Sequence, residues 1–215
     1  MIREYDYYLF DADGTLFDTT ELICRCFMHT AKSFGKTVDE KTVRSHIGMT
    51  LKNQMNLYFG PLTDEEYEKY RILHMNYQLS IYRDYLVLCP GVKEALTALK
   101  QNGKKCAVVT SRLMDTLELY LKDTQMFDFF DIIVTPESTA KHKPEPEPAL
   151  KALELLGGTN PQRAIFIGDA SFDIQCGHGA GMDTVFVGWS SNDSSLFPVK
   201  PDYIINDMRL LCENV

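Results

Sequence analysis

From Pro90 onward the chain alternates short apolar runs with segments of helical period, an order that few architectures can accommodate. A helical pattern from Val92 to Gln101, ended by Asn102-Gly103, leads into the β-rich run Cys106 to Thr110. A helix from Leu113 to Lys122, a strand at Asp131 to Val134 and a helix from Pro146 to Leu156 follow. A strand at Ala164 to Ile167, a helix from Ser171 and a strand at Thr184 to Val187 complete the series. Strands joined through helices pair in parallel, because a parallel pair needs a long crossover and a helix supplies it. The class is therefore α/β, with a Rossmann-like parallel sheet core covered by helices on both faces. Tyr7 to Phe10, an apolar run ending in Asp-Ala-Asp-Gly-Thr, reads as one more buried strand of this sheet.

Residues 18–87 break the alternation. Asp18 with Glu21 resembles a capping box, after which Leu22, Ile23, Cys26, Phe27, Ala31 and Phe34 recur at helical spacing until Gly35. Further helical patterns cover about 39–46, 51–59 and, from a Thr63/Glu66 box, 64–84; none of 18–87 reads as a strand. The expected organisation is a discontinuous core (1–15 and 88–215) with an inserted all-α cap domain at 16–87. Tyr67, Tyr70, Tyr77, Tyr82 and Tyr85 sit at near-helical spacing, which favours packing of a helical bundle over a stacking surface for ligands.

Charge narrows the partners. Among 215 residues, 22 Lys and Arg face 30 Asp and Glu, a net charge of −8, and no run of basic residues offers a stripe for nucleic acid. An anionic substrate must be held locally, by a cation or by aimed N–H groups. No segment reaches the length of a transmembrane helix, and charges at Arg3, Glu4 and Asp6 stand where a signal peptide needs apolar residues. The six Cys lie within apolar periodic stretches, as buried small hydrophobes do, so a cytoplasmic protein is expected. A monomer and a homodimer fit the sequence equally.

In parallel sheets the ligand crevice lies beyond the carboxyl ends of the strands. Asp11 and Asp13 follow the first strand, Thr110 and Ser111 the second, and Asp169 the strand at 164–167, with Asp173 four residues on; Lys143 precedes a helix. Four acidic side chains converging with one Lys would be costly without a cation. Mg²⁺, a hard ion that prefers oxygen ligands and shares substrate oxygens, answers that cost.

Phe10-Asp-Ala-Asp-Gly-Thr15, Val109-Thr-Ser111, Lys143-Pro144 and Ile167-Gly-Asp-Ala-Ser-Phe-Asp173 resemble the four ordered motifs of the haloacid dehalogenase-like hydrolase superfamily. The helical insertion resembles the cap of the phosphoglycolate phosphatase and β-phosphoglucomutase branch. The resemblance implies that Asp11 is a nucleophile forming an aspartyl-phosphate, and that Asp13 protonates the leaving oxygen and then activates water. It further implies that Thr110 and the Ser111 N–H hold the phosphoryl group and that Lys143 neutralises it and orients Asp11. Mg²⁺ would be bound by Asp11, the Asp13 carbonyl and Asp169, with Asp173 a direct or water-mediated partner. A phosphonate-cleaving relative would lack the second Asp and use a cap Lys, so Lys52 is expected to be a surface residue. A haloacid dehalogenase would dispense with the metal and the paired acidic set.

The implied activity is hydrolysis of small phosphomonoesters, phosphoglycolate-like compounds first. Two alternatives stand beside it: a β-phosphoglucomutase-like isomerase, against which Thr15 after Asp-Gly argues, and a non-catalytic phospho-ligand or protein-binding module, against which the intact acidic set argues. Substrate choice is expected of the cap loop His46-Ile-Gly-Met-Thr50, with His46, Gly48, Met49 and Thr50 facing the substrate.

Overall fold

In the computed structural model, which describes residues 2–213, the alternation runs through the chain as expected. In chain order the elements are β1 (Tyr7–Phe10), β2 (Phe17–Asp18), α1 (Thr20–Ser33), α2 (Glu40–Ser45), α3 (Leu51–Phe59) and α4 (Asp64–Tyr85). Then come β3 (Val87–Leu88), α5 (Val92–Gln101), β4 (Lys105–Val109), α6 (Met114–Asp123), β5 (Ile132–Val134) and α7 (Glu147–Leu155). The chain closes with β6 (Ala164–Gly168), α8 (Ser171–Gly179), β7 (Asp183–Val187) and β8 (Tyr203–Ile205).

Six strands form one all-parallel sheet in the order β5-β4-β1-β6-β7-β8. Counted along the chain, the sheet strands run 3-2-1-4-5-6, a doubly wound order whose crevice opens where the first and fourth strands meet. Asp11 follows one of these strands and Asp169 the other. Successive side chains of a strand point to opposite faces, so each strand feeds two cores. Tyr8, Phe10, Val108, Ile165 and Ile167 pack with α5 and α6, whereas Leu9, Ala107, Val109 and Phe166 pack with α7 and α8. Gly177 lets α8 lie close to the sheet: a Cβ there would stand 2.7 Å from that of Phe166.

The helices α1–α4 form a third cluster around Cys24, Phe27, Val43, Met55 and Tyr70, and α4 starts with the expected Thr63/Glu66 capping box. Tyr70 stacks on Phe34, Tyr77 on His29 and Tyr82 on Tyr120, so these aromatic rings are packing groups. Lys52 is exposed and paired with Asp64.

Three expectations fail. Asp18 does not cap α1; it lies in β2, paired antiparallel with β3, while Glu21 pairs with Arg25 and Arg44. The two-residue ladder of β2 and β3 thus ties the entry of the helical segment to its exit, where no strand was expected. The edge strand β8 was not foreseen either. All six Cys are free thiols. Among the described residues, no helix is long and apolar enough to cross a membrane.

Candidate active site

The tight turn after β1 sets the first carboxylates. Thr15, Leu16 and Phe17 all donate their N–H to the Ala12 carbonyl, and Gly14 takes a φ of +80° that side chains rarely adopt. A Cβ at Gly14 would meet the Asp169 carboxylate at 2.3 Å, so only glycine lets the turn and β6 bring their acids together. The Gly14 carbonyl accepts from Trp189 Nε1 at 2.9 Å, which pins the turn to the loop after β7.

Lys143 is the hub. Its Nζ lies 2.6 Å from Asp11 Oδ1 and 2.6 Å from Asp173 Oδ1, and all three side chains are buried. Lys141, two residues earlier, is exposed beside Glu145. Asp173 Oδ2 accepts the Ala170 N–H at 3.0 Å, so Asp173 caps α8 as well as pairing with Lys143. Asp169 is held by its carbonyl, which accepts from Ser190 Oγ and Asn192 Nδ2, both at 3.0 Å. Its Oδ1 is buried without a hydrogen-bond partner among the described residues.

One oxygen each from Asp11, Asp169 and Asp173 lies within 4.8 Å of the others. Fully ionised, three carboxylates beside one ammonium would leave two negative charges uncompensated in a buried place. Burial and the neighbouring carboxylates push Asp169 well above the ordinary carboxylate range. Asp11 is pushed up to about 7, chiefly by burial, with Lys143 opposing. Burial works against the Lys143 charge, but Asp11 and Asp173 outweigh it and raise its pKa. Oxygen-only donors, the orphaned Asp169 Oδ1 and a deficit of two charges all suit a hard divalent cation such as Mg²⁺.

A stability prediction follows from the sign of these shifts. An acid whose pKa is raised by folding holds more protons in the folded state, so stability falls as pH rises. Metal-free protein should lose thermal stability as pH climbs from the ordinary Asp range of 3.8 through about 7, and Mg²⁺ should flatten that slope. Melting curves across this range with Mg²⁺ and with chelator measure it. Equal slopes in both would contradict the charge balance described.

Asp13 departs from expectation: its carboxylate does not join the acidic cluster, which holds three acids, Asp11, Asp169 and Asp173, instead of four. Asp13 instead accepts from Arg112, Nε to Oδ2 at 2.8 Å and Nη2 to Oδ1 at 2.6 Å, and from the Thr19 hydroxyl. The sequence reading missed Arg112, although it directly follows Thr110-Ser111. It also missed Ser190 and Asn192, which no motif marks.

A cavity of about 70 Å³ opens between the helical segment and the sheet, lined by Asp11, Asp13, Thr110, Ser111 and Arg112 below and by Phe27, Gly48, Met49 and His74 above. The Thr110 hydroxyl accepts the Arg112 N–H at 3.1 Å. Ser111 Oγ donates to the Gly48 carbonyl at 2.6 Å, joining the two sides. Of the expected loop, Gly48 and Met49 line the cavity, but His46 and Thr50 do not. His46 Nδ1 sits 2.8 Å from the Thr42 carbonyl, and the residue lines a separate groove with Val38 and Tyr58. Thr50 caps α3 by accepting the Asn53 N–H. Both are local helix-end bonds, available without any ligand, and they turn these side chains away from the substrate space.

Residues 8–187 match the haloacid dehalogenase-like hydrolase family. A relative from Caldanaerobacter subterraneus subsp. tengcongensis, provisionally assigned as pyrophosphatase PpaX, is 37% identical over 93% of this chain and 90% of its own length. Pyrophosphatase PpaX of Bacillus mycoides is 34% identical over 93% of this chain and 92% of its own. A Bacteroides fragilis crystal structure, described as a haloacid dehalogenase-like hydrolase, superposes with a TM-score of 0.87 at 27% identity, covering 97% of this chain and all of that one. With its acids and its lysine assembled at the carboxyl ends of a doubly wound sheet, the chain belongs to the haloacid dehalogenase-like hydrolase family.

Proposed function

We propose that the protein is a Mg²⁺-dependent phosphohydrolase acting on small phosphorylated compounds through an aspartyl-phosphate on Asp11. The observation that carries this reading is the buried grouping of Asp11, Lys143, Asp173 and Asp169, which leaves Asp11 Oδ2 without a hydrogen bond among the described residues. In this reading Asp11 Oδ2 attacks phosphorus as the bond to the leaving oxygen breaks, and Asp13 supplies that oxygen with a proton. Water then gives a proton to Asp13 and attacks phosphorus, and the bond to Asp11 breaks. Lys143 holds Asp11 in line, and Thr110 and the Ser111 N–H cradle the phosphoryl oxygens. Asp11, the Asp13 carbonyl and Asp169 would hold Mg²⁺, with Asp173 alongside. The ion when bound supplies charge stabilisation to the transferring phosphoryl group.

In this reading the substrate is small: the cavity of about 70 Å³ suits a compact anion. Phosphoglycolate-like compounds fit that size, and similarity to pyrophosphatases over nearly the full chain moves inorganic pyrophosphate to the front. In this reading the helical segment serves as a cap, tied to the sheet side by the Ser111–Gly48 hydrogen bond, and its closure over bound substrate would exclude water.

The test is phosphate release from pyrophosphate, phosphoglycolate, β-glucose 1-phosphate and p-nitrophenyl phosphate, with Mg²⁺ and after chelation. Release that stops on chelation is expected. Isomerisation of the sugar phosphate without release would make the protein a mutase, and silence on every compound would make it a binding module. Because Met49 lines the cavity and His46 does not, Met49→Ala should reorder the kcat/KM values of the substrates, while His46→Ala should leave their ranking intact. Reordering by His46→Ala alone would reverse this assignment of the loop.

A further inference from the structure

Arg112 is a buried cation that the hydrolytic steps above do not use. Its side chain is 6% exposed, grips both oxygens of Asp13, and lies with its guanidinium carbon 4.5 Å from the centre of the Tyr120 ring. A guanidinium carries five N–H groups. Two go to Asp13 and a third reaches Thr116 Oγ1 at a long 3.4 Å, so two remain without a partner among the described residues.

These N–H groups belong to the residue that gives the cavity its only cationic lining side chain among the described residues. His74, the other basic residue of the lining, is kept neutral: burial, with Arg112 adding to it, pushes its pKa down to about 3. The remaining wall is largely apolar, with Ile23, Phe27, Ile47, Met49, Leu51 and Met75. A phosphoryl group placed on Asp11 therefore leaves the rest of its substrate between Arg112 and an apolar surface.

We propose that Arg112 is the specificity-determining residue of this site, selecting phosphorylated substrates that carry a second anionic group, a phosphate or a carboxylate, next to the transferring phosphoryl. The second anion takes the two spare N–H groups as a bidentate partner, a geometry that carboxylates and phosphates share. Its negative charge also draws on the cation that holds Asp13, which loosens that pair, so the carboxylate that must face the leaving oxygen is released more readily when a matching substrate is present. A neutral substrate meets the same apolar wall but leaves Asp13 held. This inference rests on the proposed phosphohydrolase activity.

The test compares phosphoglycolate with 2-hydroxyethyl phosphate, which has a similar alkoxide leaving group but no second charge, in wild type, Arg112→Met and Arg112→Lys. Wild type should prefer phosphoglycolate. Losing a charged hydrogen-bond pair should cost Arg112→Met on the order of 10²-fold in kcat/KM for phosphoglycolate, mainly through KM. The loss for 2-hydroxyethyl phosphate should be much smaller, and Arg112→Lys should restore part of the preference. Equal losses on both compounds in folded Arg112→Met, or an unchanged preference, would overturn the proposal. Should the variant fail to fold, inhibition of wild type by methylenediphosphonate and by methylphosphonate decides. The first should bind at least tenfold more tightly, and equal binding overturns the role of Arg112. Wild type inert on every phosphoester would instead refute the activity, while direct binding of the two phosphonates, followed by calorimetry, would still report on Arg112.

Discussion

Asp11→Asn is expected to fold normally and to lose turnover by on the order of 10⁴-fold or more, the scale seen when a covalent nucleophile is removed. The amide keeps the size of the carboxyl and an oxygen for Lys143, but it cannot form an acyl-phosphate. Stability supplies a second signature. Asp11 is one of three buried carboxylates served by a single ammonium, so removing its charge relieves repulsion. In the absence of divalent cations the variant should melt no lower than wild type. A variant that melts far below wild type would mean that Asp11 is needed for folding, and one that retains turnover would mean that it is no nucleophile.

Lys143→Met should have the largest effect on stability. The ammonium lies 2.6 Å from both Asp11 and Asp173, and its loss leaves three buried acids without a cation. Breaking a buried pair by deleting one partner costs about 3–5 kcal/mol. In a chain of this size that lowers the melting point by roughly 10 °C. Turnover should fall as well, on the order of 10²–10³-fold, because the charge beside the transferring phosphoryl group is gone. Mg²⁺ should recover part of the stability but not the rate. An unchanged melting point without metal would show that the acids are neutralised in some other way.

Long, strongly periodic features were readable before the fold was known. The strands at 7–10 and 164–167 are apolar runs ending in Asp, and period and chain order alone placed their acids in one crevice. Lys143 was marked in the sequence by its Lys-Pro context, and its buried position matches that reading, whereas Lys141 is exposed. Short features were unreadable. The ladder of Phe17–Asp18 with Val87–Leu88 has two residues a side, too few to show a period of two. The β8 strand lies at the sheet edge with Ile204 exposed, so its pattern lacks the fully buried run of the inner strands.

Arg112 illustrates a different limit. A charged residue on a loop is ordinarily solvated, and nothing local signals that this one is buried. Its burial depends on Asp13 and Thr116 for hydrogen bonds and on Tyr120 for a face, groups that only the fold brings together. His46 errs the other way. Its place in a loop facing the core suggested a ligand contact, yet a carbonyl one helical turn back was nearer.

The most direct test of the central claim is to trap the covalent intermediate. Wild-type protein turning over with Mg²⁺ is quenched in acid, treated with borohydride, digested and analysed by mass spectrometry. An aspartyl-phosphate is reduced to homoserine, which marks its position in the chain. Homoserine at position 11, dependent on substrate and absent from Asp11→Asn, is the expected result. Active turnover that marks a different carboxylate would contradict the assignment of Asp11 and the mechanism built on it.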